Sequence, residues 1–169
     1  MIDLHTHTFF SDGALVPSEL LRRFEVLGYE AVAITEHADS SNIDFIITRI
    51  IKAAANLNPL CQTRLLPGIE LTQVPPSLMK PLTEKARNMG AQIVVAHGET
   101  PVEPVTPGTN LAAIEAGVDL LAHPGFITEE EARKAAERGI MLELSSRKGH
   151  SLTPGHVARI AEKTGVILA

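Results

Sequence analysis

A repeated local pattern constrains the fold of this chain more than any other feature. A helical segment is followed by a glycine and then by four to six mostly apolar residues, and this unit occurs five times. The glycines lie where left-handed C-terminal helix caps are expected, and continuous apolar runs are typical of parallel strands covered on both faces. The pattern therefore predicts an α/β fold. The five units are PSELLRRFEVLG with AVAIT, PPSLMKPLTEKARNMG with AQIVVA, NLAAIEAG with VDLLA, TEEEARKAAERG with IMLEL, and TPGHVARIAEKTG with VILA.

Two further segments complete the predicted set of elements. MIDLH opens the sequence and RLLPGIE follows the helical NIDFIITRIIKAAANL, which gives seven strands and six helices. A closed (β/α) barrel and an open doubly wound sheet both fit this alternation. The open nucleotide-binding sheet carries a glycine-rich loop after its first strand, whereas HTHTFFSDG occupies that place here. We therefore favour a TIM-like barrel that forms one domain over residues 1–169.

Composition limits the partners of the chain. The net charge of −5 gives no broad attraction to nucleic acid or to an anionic membrane, and no apolar run has the length of a membrane span. Cys61 is the single cysteine, so neither an internal disulfide nor a thiolate metal cluster is expected. Because the first residues also lack the pattern of a secretory signal, the sequence predicts a cytoplasmic protein.

Polar side chains recur directly after the predicted strands. Because the C-terminal ends of parallel strands gather on one face of a barrel, we expect these side chains to be neighbours. His5 and His7 are two residues apart in an extended segment, so they point to the same side and can chelate one ion. Asp12, in the loop that follows, is a further ligand candidate. The set after the strands is His5, His7, Glu36, His37, Glu70, His97 and His123, which includes five of the seven histidines.

The chemistry of this donor set indicates a polynuclear metal centre. Imidazoles and carboxylates without cysteine suit zinc, manganese or iron, and Glu70 could bridge two ions. Paired ions activate water and neutralise charge on a phosphoryl oxygen, which is the chemistry of metal-dependent phosphoesterases. Hydrolysis of an amide or deamination of a base by one or two ions stays an alternative at this point.

Five short motifs resemble those of the PHP domain, the family named for polymerase and histidinol phosphatase. They are DLHTHT…SDG, ITEHAD, PGIELT, VVAHGE and LLAHPG, each after a predicted strand. The resemblance implies a distorted (β/α)7 barrel and phosphoester hydrolysis with two or three divalent metal ions. It implies a first ion on His5, His7 and Glu70, a second on Glu70, His97 and His123, and a third on Asp12 and His37.

The same resemblance implies a mechanism and a substrate class. Glu70, His97 and His123 are the expected catalytic residues, and a metal-bridged hydroxide would attack the phosphorus of a small phosphorylated metabolite. A histidinol phosphate-like ester or a nucleotide monoester is expected, and a phosphopeptide fits the motifs equally well. LELSSRKGHS resembles the histidinol-phosphatase-like branch, so Arg147 and Lys148 are expected to bind the phosphate. The two competing interpretations are an amidohydrolase-like hydrolase and a non-catalytic or regulatory metal-binding module. His150 is left open, and Glu99, Glu103 and His156 are expected to be solvated or surface residues.

The PHP pattern ends with Asp-x-His after a seventh strand, and the sequence stops at GVILA, before that motif. We therefore expect a C-terminally incomplete domain that lacks the last helix and the last motif. A truncated form of a longer protein is the favoured explanation, and a degenerate member and a chain completed by a partner copy are the alternatives. We expect the third metal site to have reduced occupancy and this form to have reduced or no turnover. We also expect self-association into a homo-oligomer.

Overall fold

Six strands alternate with six α-helices in the computed structural model, which describes residues 1–169. All six predicted helices are present, and the α/β class is confirmed. A short 3-10 helix, His150–Leu152, precedes the last α-helix. The elements are β1 Ile2–Thr6, α1 Pro17–Val26, β2 Ala31–Ala38, α2 Ile43–Leu57, β3 Arg64–Leu71, α3 Pro76–Asn88, β4 Ile93–His97, α4 Thr109–Ala116, β5 Leu120–Ala122, α5 Glu129–Glu137, β6 Met141–Leu142 and α6 Pro154–Thr164.

Local sequence signals explain where α5 begins and where α6 begins and ends. The Thr128 side chain accepts a hydrogen bond from the Glu131 backbone N–H, while the Glu131 carboxylate accepts one from the Thr128 N–H. This capping box satisfies two donors that would otherwise lack partners at the start of α5. Pro154 occupies the first turn of α6, and Gly165 ends that helix with a φ of 73°. A positive φ favours glycine because it has no Cβ.

The strands follow one another in chain order in a six-stranded sheet. The pairs β1–β2, β4–β5 and β5–β6 are parallel. The predicted count of seven is not confirmed, because residues 166–169 form a single parallel bridge, between Leu168 and Leu142, instead of a ladder. The sixth predicted strand is also shorter than expected, with two paired residues.

The chain divides into two compact units. Unit 1 consists of Met1–Glu70 and Lys85–Val94, and unit 2 consists of Leu71–Glu84 and Val95–Ala169. In unit 1, β2 is buried over most of its length, and α1 and α2 contact it. The buried face of α2 repeats every three or four residues, as an amphipathic helix requires. That face consists of Ile43, Ile46, Ile47, Ile50 and Ala54.

Unit 2 is built around β5, whose three residues are all buried. Helix α4 contacts β5 and α5, and α5 in turn packs against α6. Small residues face this packing from α5, where Ala132 and Ala135 are buried, whereas α6 contributes Val157, Ile160 and Ala161. None of the helices combines the length and the apolar character needed to cross a lipid bilayer.

Candidate metal centre

The ends of the first three strands bring four predicted ligands together in unit 1. Glu70, near the end of β3, is completely buried, and one of its carboxylate oxygens is surrounded by imidazole nitrogens. Oε2 of Glu70 lies 3.3 Å from His5 Nε2, 3.4 Å from His7 Nε2 and 2.8 Å from His37 Nδ1. A carboxylate and three histidines from positions 5 to 70 thus converge on one point.

The distances among His5, His7 and Glu70 fit a single metal ion. The Nε2 atoms of His5 and His7 are 3.1 Å apart, which completes a triangle with the two distances to Glu70. Ligand atoms held about 2.0–2.2 Å from a tetrahedral zinc ion are about 3.3–3.6 Å from one another. The three donor atoms could therefore hold one ion, and all lie within 4.8 Å of one another.

A second group in unit 1 consists of His7, Asp12 and His37, whose donor atoms also lie within 4.8 Å of one another. Asp12 Oδ1 lies 3.8 Å from His7 Nδ1 and 3.5 Å from His37 Nε2. The His7 and His37 rings stack with their centroids 4.3 Å apart. Both histidines thus direct one ring nitrogen at Glu70 and the other at Asp12. The sequence suggested Asp12 and His37 for this group, and the structure adds the second nitrogen of His7.

A buried acid holds the loop that carries Asp12. Glu36 is fully buried and accepts a 2.9 Å hydrogen bond from the Thr8 backbone N–H. It also accepts short hydrogen bonds from the Thr8 and Ser11 hydroxyls. The Thr8 carbonyl in turn accepts from the backbone N–H groups of Ser11 and Gly13, at 3.1 and 2.9 Å. Glu36 lies in β2, whereas its partners Thr8 and Ser11 lie in the loop after β1, so no local pattern predicts this role.

Burial and mutual charge set the protonation of this group. Burial lowers the pKa of His7 to about 4, although Glu70 acts in the opposite direction. Burial is the largest influence on the pKa of His37 and acts to lower it. The hydrogen bond to Glu70 and the negative charges of Glu70 and Asp12 together outweigh burial and raise the pKa. For Glu70, burial alone would raise the pKa, but hydrogen bonds from His37 and His5 hold it well below the usual range. At neutral pH His7 is therefore neutral and Glu70 ionised, the forms in which these side chains bind metal ions.

The two remaining predicted ligands, His97 and His123, are neighbours in unit 2. His97 ends β4 and His123 follows β5, and their ring centroids are 4.3 Å apart. His123 has a φ of 32°, a left-handed conformation that is rare for residues other than glycine. Its backbone N–H donates a 3.0 Å hydrogen bond to Glu143 Oε2, which helps to hold this conformation.

His150 and Glu103 join this pair. His150 is buried, and its ring stacks on His123 with a centroid distance of 4.1 Å. Glu103 lies between two rings, with Oε2 3.1 Å from His97 Nε2 and Oε1 3.3 Å from His150 Nε2. The expectation that Glu103 is a solvated acid is therefore wrong, because its side chain is 35% exposed and both carboxylate oxygens face imidazole nitrogens. Its position depends on the irregular path of residues 98–108, which no local pattern predicts.

The other residues considered in the sequence have different surroundings. Glu99 accepts hydrogen bonds from the backbone N–H groups of Gly108 and Asn110 and so caps the start of α4. His156 is half-buried, and its Nε2 lies 2.8 Å from the Ile127 carbonyl. Arg147 and Lys148 are both exposed.

The order of the motifs and the metal-ligating groups agree with a comparison to known families. The sequence pattern of the PHP domain matches residues 3–161. The chain belongs to the PHP domain family. Membership in this family indicates a metal-dependent hydrolase, and the histidine and glutamate groups of unit 1 could hold the metal.

Relatives of this PHP domain include an uncharacterized protein of Methanocaldococcus jannaschii, which is 48% identical over 166 residues, covering 97% of this chain and 76% of the relative. The 5′-3′ exoribonuclease Rnm of Salmonella typhimurium is 35% identical over 72 residues, which cover 43% of this chain and 22% of the enzyme. The crystal structure of an amidohydrolase from a Sargasso Sea environmental sample matches with a TM-score of 0.60 at 14% identity. The match covers 99% of this chain but 44% of that structure, and at this identity it shows similarity of fold.

Proposed function

We propose that this PHP domain hydrolyses a phosphate ester of a small metabolite with the help of two or three divalent metal ions of zinc, manganese or iron. The observation that carries the proposal is the position of Glu70 Oε2 within 3.4 Å of nitrogens from three histidines. The name of the Salmonella relative supports the same class of bond, since an exoribonuclease cleaves phosphoesters. Histidinol phosphate-like esters and nucleotide monoesters are the two substrate types proposed.

The metal ligands follow from the two groups in unit 1. His5, His7 and Glu70 would hold one ion, and Asp12 with His37 would hold another. Neutral His7 has one unprotonated ring nitrogen, so it would serve one of the two groups and not both. The ion that the family resemblance places on Glu70, His97 and His123 stays a prediction. A divalent ion bound at such a site acts as a Lewis acid, which activates water and neutralises charge on a phosphoryl oxygen.

The residues of the chain contribute binding, charge and position. Glu70 is fully buried and ionised, and its negative charge would compensate the positive charge of bound cations. Glu36 fixes the loop of Thr8 and Ser11 and thereby the position of Asp12. Arg147 and Lys148 are exposed to solvent. We propose that they bind the phosphate group of the substrate and that the Arg147 guanidinium donates two parallel hydrogen bonds to it. A cytoplasmic location and a homo-oligomeric state belong to the same proposal.

The test is hydrolysis of a generic phosphomonoester by chelator-treated protein reloaded with manganese or zinc. We expect His7→Ala to lose activity by more than about 100-fold, since even partners outside the ligand sphere cost about 10- to 100-fold. His156→Ala is the matched control, because it removes a half-buried histidine from α6. Equal activity of the wild type and His7→Ala would refute the site. Hydrolysis of an amide but of no phosphoester would refute the proposed reaction in favour of the amidohydrolase-like alternative.

A further inference from the structure

Three of the five phenylalanines of this chain lie together beside the first strand and α2. Phe9 stacks on Phe10 with ring centroids 4.5 Å apart, and Phe10 meets Phe45 of α2 edge-on at 6.3 Å. The Arg49 guanidinium carbon lies 3.4 Å from the centroid of the Phe45 ring. We call Phe9, Phe10, Phe45 and Arg49 the aromatic patch.

Exposure distinguishes the aromatic patch from a hydrophobic core. Phe9 is 52% exposed and Phe45 is 47% exposed, so about half of each side chain faces solvent. A phenylalanine contributes to folding mainly through the area that it buries, and rings left this open contribute less than they would inside the protein. A chain with five phenylalanines and no tryptophan therefore exposes two of its few aromatic rings at one place. Arg49 covers one face of the Phe45 ring and Phe10 covers one face of the Phe9 ring, so a planar ligand would stack on the opposite faces.

The aromatic patch is also tied to the candidate metal centre through the chain. Phe9 and Phe10 lie between His7 and Asp12 in sequence, and an extended chain spans at most about 3.6 Å per residue. The Cα atom of Phe10 is therefore within about 7 Å of that of Asp12 and within about 11 Å of that of His7. Hydrogen bonds from Thr8 and Ser11 to Glu36 hold this loop, and the Phe9 N–H donates a 2.9 Å hydrogen bond to the Leu15 carbonyl.

Charge adds a third property that suits a nucleotide. The chain as a whole carries a net charge of −5, whereas Arg49 places a positive charge on the patch. A guanidinium plane stacks on nucleobases and attracts phosphate, and aromatic rings stack on any base because every base has a π-face. An aliphatic phosphate ester would use none of these rings.

We propose that the aromatic patch binds the nucleobase of a nucleotide whose phosphate is presented to the metal centre. This inference rests on the proposed phosphoesterase function and narrows its substrates to nucleotides. Phe9 and Phe45 provide the stacking surface, Phe10 supports both rings, and Arg49 supplies the positive charge.

The experiment compares adenosine 5′-monophosphate with glycerol 3-phosphate as substrates of the metal-loaded full chain. Base stacking is worth about 1–3 kcal/mol per base on alanine substitution, which corresponds to a roughly 5- to 150-fold change. We expect Phe9→Ala and Phe45→Ala each to lower kcat/KM for the nucleotide by this factor and to leave that for glycerol 3-phosphate within about twofold. Phe9→Tyr should retain the preference, because it keeps the ring. Phe126→Ala, which removes a phenylalanine that is 68% exposed in unit 2, is the matched control.

A separate binding measurement keeps the inference distinct from the proposed function. We would titrate adenosine into the wild type and follow the phenylalanine ring resonances by NMR. If neither ester is hydrolysed, the proposed function fails, while shifts of the Phe9 and Phe45 resonances would still support the aromatic patch. The inference is overturned if adenosine shifts neither ring, or if Phe9→Ala and Phe45→Ala slow both substrates equally.

Discussion

Replacing Glu36 should destabilise the loop that carries the metal ligands, by an amount that follows from its hydrogen bonds. In Glu36→Ala, the N–H and the hydroxyl of Thr8 both lose their acceptor, and Thr8 is completely buried. A buried donor without an acceptor costs about 1–3 kcal/mol, so two of them cost about 2–6 kcal/mol. Ser11 is half-buried, so its hydroxyl should find water as an acceptor and add little.

Urea unfolding of the metal-free protein, followed by circular dichroism, measures this change. Glu36→Gln keeps one oxygen for the two Thr8 donors and should lose only about 1 kcal/mol, the worth of an ordinary hydrogen bond. Glu84→Ala, on the exposed side of α3, should stay within about 0.5 kcal/mol of the wild type. If Glu36→Ala loses less than about 1 kcal/mol, or no more than Glu36→Gln, the account of the loop is wrong.

Three further predictions concern the metal-free protein. By NMR titration, His7 should take up its proton near pH 4 and His37 should take up its proton above pH 6.5. Neutral His7 therefore contributes stability that is complete above pH 6.5 and is lost towards pH 4, whereas protonated His37 contributes stability that is complete below pH 6.5 and is lost at higher pH. Titration of both histidines near pH 6.5 would contradict this. Gly13→Ala should lower the urea midpoint, because a Cβ there would lie 2.3 Å from the His7 carbonyl oxygen, whereas Gly155→Ala meets no atom within 4 Å and should not. Thr128→Ala should lose about 1 kcal/mol in the same assay by removing the capping box of α5, and an unchanged midpoint would refute its contribution.

The helices could be predicted from the sequence because their signals are local. The apolar spacing of α2, the capping box of α5 and the glycine after α6 each lie within one helix or next to it. The last strands were predicted less well, because pairing depends on distant partners. Residues 140–144 and 166–169 have the composition of strands, yet they form a two-residue strand and a single bridge.

The candidate site shows the same division between local and distant determinants. His5 and His7 could be paired because two residues in one strand point the same way, and strand ends brought His37 and Glu70 into the same prediction. Glu103 and His150 were not predicted to meet, since they are far apart in sequence and the loop from 98 to 108 has no regular structure. A pattern along the chain cannot indicate which side chains such a loop brings into contact.

Metal content per chain decides whether Glu70 and the histidines around it bind an ion. The protein would be stripped with a chelator, reloaded with manganese or zinc, desalted and measured by elemental mass spectrometry, with Glu70→Gln beside it and Glu84→Gln as the matched control. We predict at least one bound ion per chain in the wild type and the control, and loss of that ion in Glu70→Gln, because the carboxylate Oε2 of Glu70 faces all three histidines. A wild type that binds no ion, or a Glu70→Gln variant that binds as many ions as the control, would contradict the account.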